Sequence, residues 1–320
     1  MSITCSPLEP GLAERLFKLF GRTTLMEVRP GGLTLPARYG AVSGRIRGLA
    51  VRPDDVWVVS YPRTGSTWTQ EMVWCIGNDL DFTRAVELQQ YRAPLIEMAA
   101  VGLNDGRNAF GVALGDSVSR VTDMPSPRFI KSHLTWDLLP EQLCTVRPKV
   151  VYVARDPKDL CVSYYHYCRL AHGLDGPFQD FAELFLQGGV PYGSAWSHIL
   201  SFWARRNDPN LLFLKYEDMK KDLPSQIRRT AEFLGKQIGN DDIRNLIEYL
   251  SFDRMRDNPA VNFQVVLAGK YRREGAREAD VGFIRKGQVG DYKNYMTEDM
   301  IARFDMRTRE TFAASGLSFD

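Results

Sequence analysis

Short apolar runs alternate along this chain with longer stretches in which apolar residues recur at helical spacing. The continuous runs predict strands of a parallel sheet that is covered on both faces, and they lie at residues 56–61, 128–131, 149–154 and 211–215. The periodic stretches predict helices between Trp68 and Ile76 and over residues 157–170, 194–206, 223–234 and 241–250. This alternation favours an α/β fold: a single domain, residues 1–320, with a central parallel sheet flanked by helices. Ligands of such sheets bind beyond the carboxyl ends of the strands.

The first predicted strand continues into its helix through a small polar loop. Residues 61–68 read YPRTGSTW, so a cation, hydroxyl groups and a glycine lie between the strand and the first helical turn. The first N–H groups of a helix lack internal partners and the helix dipole favours an anion there, so the loop is typical of a P-loop-like phosphate site. The cation precedes the glycine, no Walker A sequence is present, and no carboxylate pair is placed to hold Mg²⁺. These absences argue against a kinase or an NTPase.

Two further clusters of cations predict anion binding. Arg155 ends the strand at 149–154, Pro157 is suited to the first turn of the next helix, and Ser163 follows about two turns later. Residues 283–287 read FIRKG and place two cations beside a glycine in a long irregular segment. Arginine binds phosphate through paired hydrogen bonds, and glycine lets the backbone come close. Together with the first loop, these clusters fit a ligand that carries two separated phosphate groups.

The strand at 128–131 brings two candidate catalytic side chains to the same edge of the sheet. Residues 129–134 read FIKSHL, which places Lys131 and His133 where the strand ends. A histidine there can act as a general base near neutral pH, and a lysine can stabilise charge on transferred oxygens. His133 is preferred because the chain's other three histidines fall within or near helical patterns.

Composition narrows the class of protein. An apolar content of 44% and a charged content of 25% are typical of globular proteins, and a net charge of +2 gives no general attraction to nucleic acid. No apolar run approaches the roughly 20 residues that span a bilayer, and the first residues lack the pattern of a secretory signal. Five scattered cysteines without zinc-ligand spacing fit reduced thiols. We therefore expect a cytoplasmic protein that binds neither nucleic acid nor membrane.

These segments together resemble those of the cytosolic sulfotransferase family, including its invertebrate members. The family transfers a sulfuryl group from 3′-phosphoadenosine-5′-phosphosulfate (PAPS) to a hydroxyl or amine and releases adenosine 3′,5′-bisphosphate (PAP). Residues 61–68 resemble its 5′-phosphosulfate loop and residues 129–134 its catalytic strand. Residues 153–167, VARDPKDLCVSYYHY, resemble its 3′-phosphate site, and residues 283–294, FIRKGQVGDYKN, its closing loop. The resemblance covers about residues 54–290 and implies a PAPS-dependent sulfotransferase that needs no metal.

The resemblance also implies roles for individual residues. The 5′-phosphosulfate end and the adenine would be held by Arg63, Thr64, Gly65, Ser66, Thr67 and Trp68. The 3′-phosphate and the closing loop would involve Arg155, Ser163, Phe283, Ile284, Arg285, Lys286 and Gly287. The region of the base would involve Tyr216, Ser251, Phe252 and Met255, with Phe252 facing Trp68 across the adenine. His133 would remove the proton of the acceptor, while Lys131 and Arg63 would stabilise charge.

Two positions depart from the family's pattern. The family usually has lysine at the position of Arg63, where it protonates or stabilises the bridging oxygen of the leaving group. Arginine does not realistically donate a proton, so we expect electrostatic stabilisation without acid catalysis. In the family's dimer motif, K-x-x-x-T-V-x-x-x-E, Lys293 and Thr297 are present, but Glu298 replaces the valine and Ala302 the glutamate. We therefore expect a monomer or a weak homodimer.

The acceptor is expected to be small and lipophilic, because acceptor pockets of the family are apolar and surround the catalytic histidine. A phenol, a steroid or another alcohol would fit. Candidate pocket residues are Phe20, Tyr91, Phe110, Tyr164, Tyr167, Phe178 and Leu267. We expect roughly residues 1–50 to contribute to this pocket and roughly residues 256–290 to form the closing loop.

Two alternatives remain open from the sequence. The first is a catalytically silent carrier that binds PAPS or PAP. It would keep the nucleotide site, and the presence of Arg63 in place of lysine leaves this hypothesis open. Some invertebrate relatives use sulfonation to set up the dehydration of an allylic alcohol, and such a protein would carry the same motifs.

Overall fold

A four-stranded parallel sheet organises the protein, which a computed structural model describes over residues 2–21, 24–101, 116–263 and 282–319. The strands β1–β7 are Thr4–Pro7, Leu25–Arg29, Leu33–Pro36, Val56–Ser60, Phe129–Ser132, Lys149–Ala154 and Leu211–Lys215. Within the described ranges the helices α1–α15 are Pro10–Phe20, Tyr39–Arg47, Ser66–Gly77, Gln89–Arg92, Met98–Val101, Ser117–Asp123, Leu143–Val146, Pro157–His172, Phe178–Leu186, Ala195–Trp203, Tyr216–Lys221, Leu223–Leu234, Asn240–Tyr249, Phe252–Asp257 and Glu298–Phe312. Short 3₁₀ helices lie at Arg84–Val86, Trp136–Leu138 and Asp291–Asn294.

The parallel sheet has the strand order β5-β4-β6-β7, and its four strands are those predicted from the apolar runs. The central strand β4 pairs with β5 on one side and with β6 on the other, so that Val58 lies opposite Lys131 and Val151. The predicted α/β fold with a central parallel sheet is confirmed. Because all four strands run in the same direction, the loops that follow β4, β5 and β6 meet at one edge of the sheet.

The two faces of this sheet are buried in different apolar clusters. Along β4, Trp57 and Val59 pack into the larger cluster, whereas Val56 and Val58 pack into the smaller one on the opposite face. Successive side chains of a strand point to opposite faces, so a strand that is covered on both sides is apolar at every position. Burying a large apolar side chain stabilises the fold by about 1.5–3 kcal/mol. The burial of these side chains therefore fixes where the strands lie in the core.

A buried ion pair fixes the start of two strands. Arg128 and Asp55 immediately precede β5 and β4, and the Arg128 Nη2 atom lies 2.6 Å from Asp55 Oδ2. Arg128 also donates to the carbonyl oxygens of Ala50 and Val121. These contacts pair the two charges and satisfy donors that burial would otherwise leave unmatched.

A second, three-stranded antiparallel sheet with the order β1-β2-β3 lies near the amino terminus, and the sequence did not predict it. Its first strand reads TCSP and is mostly exposed, so it carries no apolar alternation. Helix α1 follows this strand, and the Glu9 side chain caps it by accepting from the backbone of Gly11 and Leu12. All five cysteines are free thiols. Over the described ranges, no helix is long and apolar enough to cross a membrane.

Candidate active site

An open cavity of about 790 Å³ lies at the carboxyl edge of β4 and β6. It collects fifteen of the seventeen residues predicted to bind the donor, and these are Arg63, Gly65, Ser66, Thr67, Trp68, Arg155, Ser163, Tyr216, Phe252, Met255, Phe283, Ile284, Arg285, Lys286 and Gly287. The other two do not line it. Thr64 is fully buried and its Oγ1 donates to the carbonyl oxygen of Tyr61, while Ser251 precedes α14. Residues that lie far apart in the sequence therefore form one wall.

The loop between β4 and α3 points the start of α3 into this cavity. Arg63 has φ 74° and Gly65 has φ 95°, both in the left-handed region, and Gly65 is the residue that precedes the helix. A β-carbon on Gly65 would lie 2.7 Å from Cδ2 of Tyr216, so the backbone conformation and the close approach both require glycine. The turn leaves the first N–H groups of α3 free for an anion.

Two arginines at the far wall keep N–H groups without partners in the described structure. Arg155 donates from Nη2 to the carbonyl oxygen of Gln288 at 2.9 Å, and its guanidinium lies 4.4 Å from the centre of the Tyr216 ring. Arg285 pairs with Asp291 at 2.6 Å. Burial raises the pKa of that carboxyl, but the hydrogen bonds of Lys286, Asn294 and Arg285 outweigh burial and hold the pKa at about 2. Arg155 Nε and Arg285 Nε and Nη1 are buried without a hydrogen bond. Buried donors of this kind are suited to an anionic ligand.

The segment that carries Arg285 is tied to the first turn of α8. Asp159 accepts from the backbone N–H of Gly290 at 2.7 Å and from that of Tyr292 at 3.0 Å. Gly287 has φ 63°, and a β-carbon there would lie 2.6 Å from Cδ2 of Phe252. The two predicted anion clusters thus form one site, because a carboxylate on one of them holds the backbone of the other.

His133 is held in a single orientation at the end of β5. Its Nδ1 lies 2.8 Å from the carbonyl oxygen of Ser60, and because a carbonyl only accepts, Nδ1 carries the hydrogen. The carbonyl oxygen of His133 is in turn 3.0 Å from Nε2 of His198. Burial, followed by the charge of Lys131, lowers the pKa of His133 well below its ordinary value. The ring is therefore neutral at physiological pH, and its Nε2 atom is the one able to take a proton.

Glu97 holds the end of β5 through hydrogen bonds. Its carboxylate is fully buried and accepts from the backbone N–H of His133 at 2.6 Å and from Ser132 Oγ at 3.0 Å. The backbone of Pro94 and Ile96 also pairs with Lys131, so residues 94–97 clamp the edge of β5. Burial raises the pKa of Glu97 to about 7, and the hydrogen bond from His133 opposes this rise. No periodic pattern and no motif in the sequence pointed to this residue.

Two cations lie close to His133: Lys131, which is buried, and Arg63, which is half-buried. Burial lowers the pKa of Lys131 to about 8, and the charge of Arg63 adds to this effect while Glu97 opposes it. Burial also lowers the pKa of Arg63 to about 10. Arg63 Nη2 donates to the carbonyl oxygen of Phe283 at 2.7 Å, and its guanidinium lies 4.6 Å from the centre of the Phe283 ring. Because both cations line the same cavity, they favour the binding of an anionic group between them.

A second cavity of about 800 Å³ adjoins the first and contains the candidate catalytic groups. Arg63, Ser66 and Phe283 line both cavities, whereas Lys131 and His133 line the second alone. The remaining wall is mainly apolar, and its described members are Pro62, Gln70, Gln90, Ala93, Leu95, Met98, Val101, Tyr167, Ala171, His172, Tyr192 and Phe263. A group at the junction thus meets the anion cradle on one side and the imidazole on the other.

The predicted acceptor residues divide into three groups. Tyr167 lines the second cavity, and Phe110 and Leu267 lie outside the described residues. The other four lie elsewhere. Phe20 and Phe178 pack in the larger apolar cluster, Tyr91 stacks under Arg120, and Tyr164 is fully buried with its hydroxyl donating to Pro191. These four residues pack against other side chains or the backbone and do not line the second cavity.

Several lining residues were not predicted. Lys220 and Leu250 line the first cavity, and Lys220 lies four residues after Tyr216 on α11, so helical spacing gave a signal for it. The same spacing connects Gln70 with Ser66 on α3. The wall between Gln90 and Val101 comes from the short helices α4 and α5 and the segment between them, which carry no helical period long enough to detect.

Comparisons with known proteins agree with this geometry. The sulfotransferase domain family matches residues 53–316 of the chain. Luciferin sulfotransferase of Photinus pyralis is 41% identical over 292 residues, which cover 88% of this chain and 78% of that protein. Sulfotransferase 1E1 of Bos taurus is 32% identical over 292 residues, which cover 90% of this chain and 94% of that protein.

A solved structure of similar fold comes from a dehydratase. Retinol dehydratase in complex with androsterone and inactive cofactor PAP superposes with a TM-score of 0.91 at 31% identity, covering 100% of this chain and 98% of that chain. A further structure of retinol dehydratase, in a complex with retinol and PAP, gives the same TM-score and identity. The similarity extends over both cavities and is not confined to the sheet.

Proposed function

The chain belongs to the sulfotransferase family, and from this premise we propose that it transfers the sulfuryl group of PAPS to the hydroxyl of a small lipophilic acceptor. One observation carries the proposal: Arg63, Ser66 and Phe283 line both the anion cavity and the cavity that contains His133. A donor whose phosphates occupy the first cavity would present its sulfuryl end at this junction. An acceptor in the second cavity would then have its hydroxyl beside the imidazole.

The donor assignment rests on the match between ligand charges and buried donors. The free N–H groups at the start of α3 suit a 5′-phosphosulfate, and Arg285 with its unpartnered Nε and Nη1 suits a 3′-phosphate. Trp68 and Phe252 line the wall between these ends, where a planar base would lie. The bound PAP of the retinol dehydratase structures supports the same ligand for this chain.

In the proposed reaction the acceptor oxygen forms a bond to sulfur as the bond between sulfur and the bridging oxygen of PAPS breaks, which leaves PAP. Nε2 of His133 takes the proton of the acceptor hydroxyl, since Nδ1 is occupied by the carbonyl of Ser60. Lys131 and Arg63 stabilise the charge on the sulfuryl and bridging oxygens. Arg63 acts as a positive clamp without giving up a proton.

The apolar wall of the second cavity favours a phenol, a steroid or another lipophilic alcohol. Leu95, Met98 and Val101 would face the body of the acceptor, and Tyr167 would lie against it from α8. A polyhydroxylated sugar would leave most of its hydroxyl groups unmatched against this surface.

Transfer of labelled sulfate from PAPS to a panel of phenols, steroids and aliphatic alcohols tests the proposal. We expect transfer to at least one class, dependence on His133, and binding of PAP by the unsubstituted chain. Tight binding of PAP without transfer to any member of the panel would instead favour a silent carrier.

A dehydratase is the second candidate, and the TM-score of 0.91 to retinol dehydratase is the observation that favours it. Such an enzyme would first sulfonate an allylic alcohol, after which loss of sulfate and of a proton gives an additional double bond. Mass spectrometry of the product from retinol distinguishes the two outcomes. A stable sulfate ester would argue for simple transfer, and an anhydro product with free sulfate would argue for dehydration.

A further inference from the structure

Gln70 is a buried amide in the wall of the second cavity, and its oxygen makes no hydrogen bond within the described residues. It lies on α3, four residues after Ser66, and only 2% of it is exposed. Its Nε2 donates to the carbonyl oxygen of Ala93 at 2.7 Å. Its Oε1 is buried and has no hydrogen-bond partner in the part of the chain that the structure describes.

The orientation of this amide is fixed by its one partner. The carbonyl of Ala93 only accepts, so the nitrogen must face it, and a flipped amide would place two oxygens in contact. Gln70 and Ala93 both line the cavity. A buried acceptor without a partner destabilises the protein. Oε1 is covered by neighbouring atoms of the cavity wall, and a ligand donor that displaces them would complete its hydrogen bonding.

We propose that Gln70 Oε1 binds a second hydrogen-bond donor on the acceptor substrate, which is therefore a bifunctional lipophilic molecule. This inference rests on the proposed function of the same cavity. The reacting hydroxyl cannot be the partner of Gln70, because it has a single proton and that proton goes to Nε2 of His133. The partner must be another hydroxyl or an amide N–H elsewhere on the same molecule.

The charges of the cavity restrict this second group further. Lys131 and Arg63 line the same cavity as cations, so an ammonium group on the acceptor would be repelled. Ala93, Leu95 and Met98 of the same wall are apolar, so most of the acceptor surface should be apolar as well. The expected acceptor is a neutral, mainly apolar molecule with one sulfonated hydroxyl and one further neutral donor.

Matched acceptors test the inference directly. One series consists of 4-(hydroxyalkyl)phenols of increasing chain length, each compared with its methyl ether, which keeps the oxygen but cannot donate. A second series compares alkanediols with their monomethyl ethers. At the best chain length we expect kcat/KM for the hydroxyl compound to exceed that of its ether by about tenfold or more. Mass spectrometry identifies which oxygen is sulfonated.

Two variants test whether the difference in kcat/KM between hydroxyl compound and ether depends on Gln70. In Gln70→Leu we expect the ratio between hydroxyl compound and ether to fall to about one, with binding of PAP retained. Gln226→Leu is the matched control, because Gln226 on α12 also has a buried, unpartnered Oε1 but does not line this cavity. There the ratio should stay as in the unsubstituted chain. The ratio compares two substrates of the same variant. A loss of folded protein therefore lowers both activities equally and leaves the ratio unchanged.

Three results would overturn the inference. A ratio near one at every chain length in the unsubstituted chain overturns the inference even if Gln70→Leu fails to fold. A ratio that survives in Gln70→Leu also overturns it, since the donor then binds another group such as Gln90. Absence of transfer to every compound, with PAP bound, rejects the proposed function itself, and the inference falls with it.

Discussion

Nδ1 of His133 and the carbonyl oxygen of Ser60 lie 2.8 Å apart, at the adjacent ends of β5 and β4. The two strands are paired in parallel, so the pairing that builds the sheet also sets the tautomer of the imidazole. With Nδ1 committed as a donor, Nε2 is the ring nitrogen that is left to accept a proton. The lowered pKa keeps this nitrogen unprotonated, and under the proposed function it accepts the proton of the acceptor hydroxyl.

Replacing His133 by alanine should remove catalysis while leaving the donor site intact. We expect kcat to fall by about 10²–10⁴, because the acceptor hydroxyl loses its base. His133 lines the second cavity only, so the Kd for PAP should change little. Labelled-sulfate transfer and equilibrium binding of PAP measure the two effects separately. A variant that retained most of its turnover would exclude His133 as the base.

Arg63 should contribute charge and not a proton. We expect Arg63→Ala to lower turnover by about 10²–10³, whereas Arg63→Lys keeps most of it, since either cation can stand beside the leaving group. Arg63 also donates to the carbonyl of Phe283, so the alanine variant should bind PAP less tightly. Single-turnover rates at saturating PAPS separate the loss of chemistry from the loss of binding. An unimpaired alanine variant would contradict the role.

Glu97 should act on catalysis through Lys131 and His133. Under the proposed function the protonated form of Lys131 is needed, so activity should be present below its pKa of about 8 and lost as the pH rises through that value. Arg63 and Glu97 are the charges that face Lys131, and in Glu97→Gln the opposing carboxylate is gone. The pKa of Lys131 then falls, and kcat/KM at pH 8 should drop by about 5- to 10-fold.

The pH profile of kcat/KM in the free enzyme checks this expectation. Ser132→Ala is a graded comparison, because it removes a neutral hydrogen bond that lowers the pKa of the same carboxylate. Its alkaline limb should move in the same direction as that of Glu97→Gln, by a smaller amount. If the limb of Glu97→Gln stayed in place, Glu97 would be a structural residue only.

The strands and the anion cradles could be predicted because their signals are local. Each strand of the parallel sheet is buried on both faces, so its apolar run is continuous and stands out in the sequence. Each cradle is a contiguous segment in which a loop leads into a helix or a glycine follows cations. The convergence of the two cradles that follow β4 and β6 results from the parallel direction of the strands. The segment at 283–287 follows no strand, and it is held at the site by long-range contacts such as that between Asp159 and the backbone of Gly290.

The acceptor cavity could not be predicted in the same way. Tyr164 and Tyr167 lie three residues apart on α8, yet the first is sealed in the core and the second lines the cavity. Which of them faces a ligand depends on the helix α9, the loop before α10 and the segment at Phe283 that pack around α8, and the local sequence does not contain this information. Gln70 is a similar case. Nothing in the sequence distinguishes it from other polar residues of α3, and its hydrogen bond to the carbonyl of Ala93 is known only from the structure.

Arg285 should be the main cationic contact of the 3′-phosphate. Its Nε and Nη1 are buried without partners in the described structure, so they are available to a ligand. A hydrogen bond to a charged group contributes about 1.5–3 kcal/mol, and Arg285→Ala should therefore weaken PAP binding by about 10- to 150-fold.

The fold should tolerate this change, because Asp291 keeps Lys286 and Asn294 as partners when Arg285 is gone. Arg254→Ala is the matched control, since Arg254 is an exposed arginine that pairs with Glu248 and does not line the cavity. Equilibrium titration with PAP and with adenosine 5′-phosphate distinguishes the two ends of the ligand. The substitution should weaken PAP and leave adenosine 5′-phosphate nearly unchanged, and an equal loss for both would assign Arg285 to the 5′ end or to the fold.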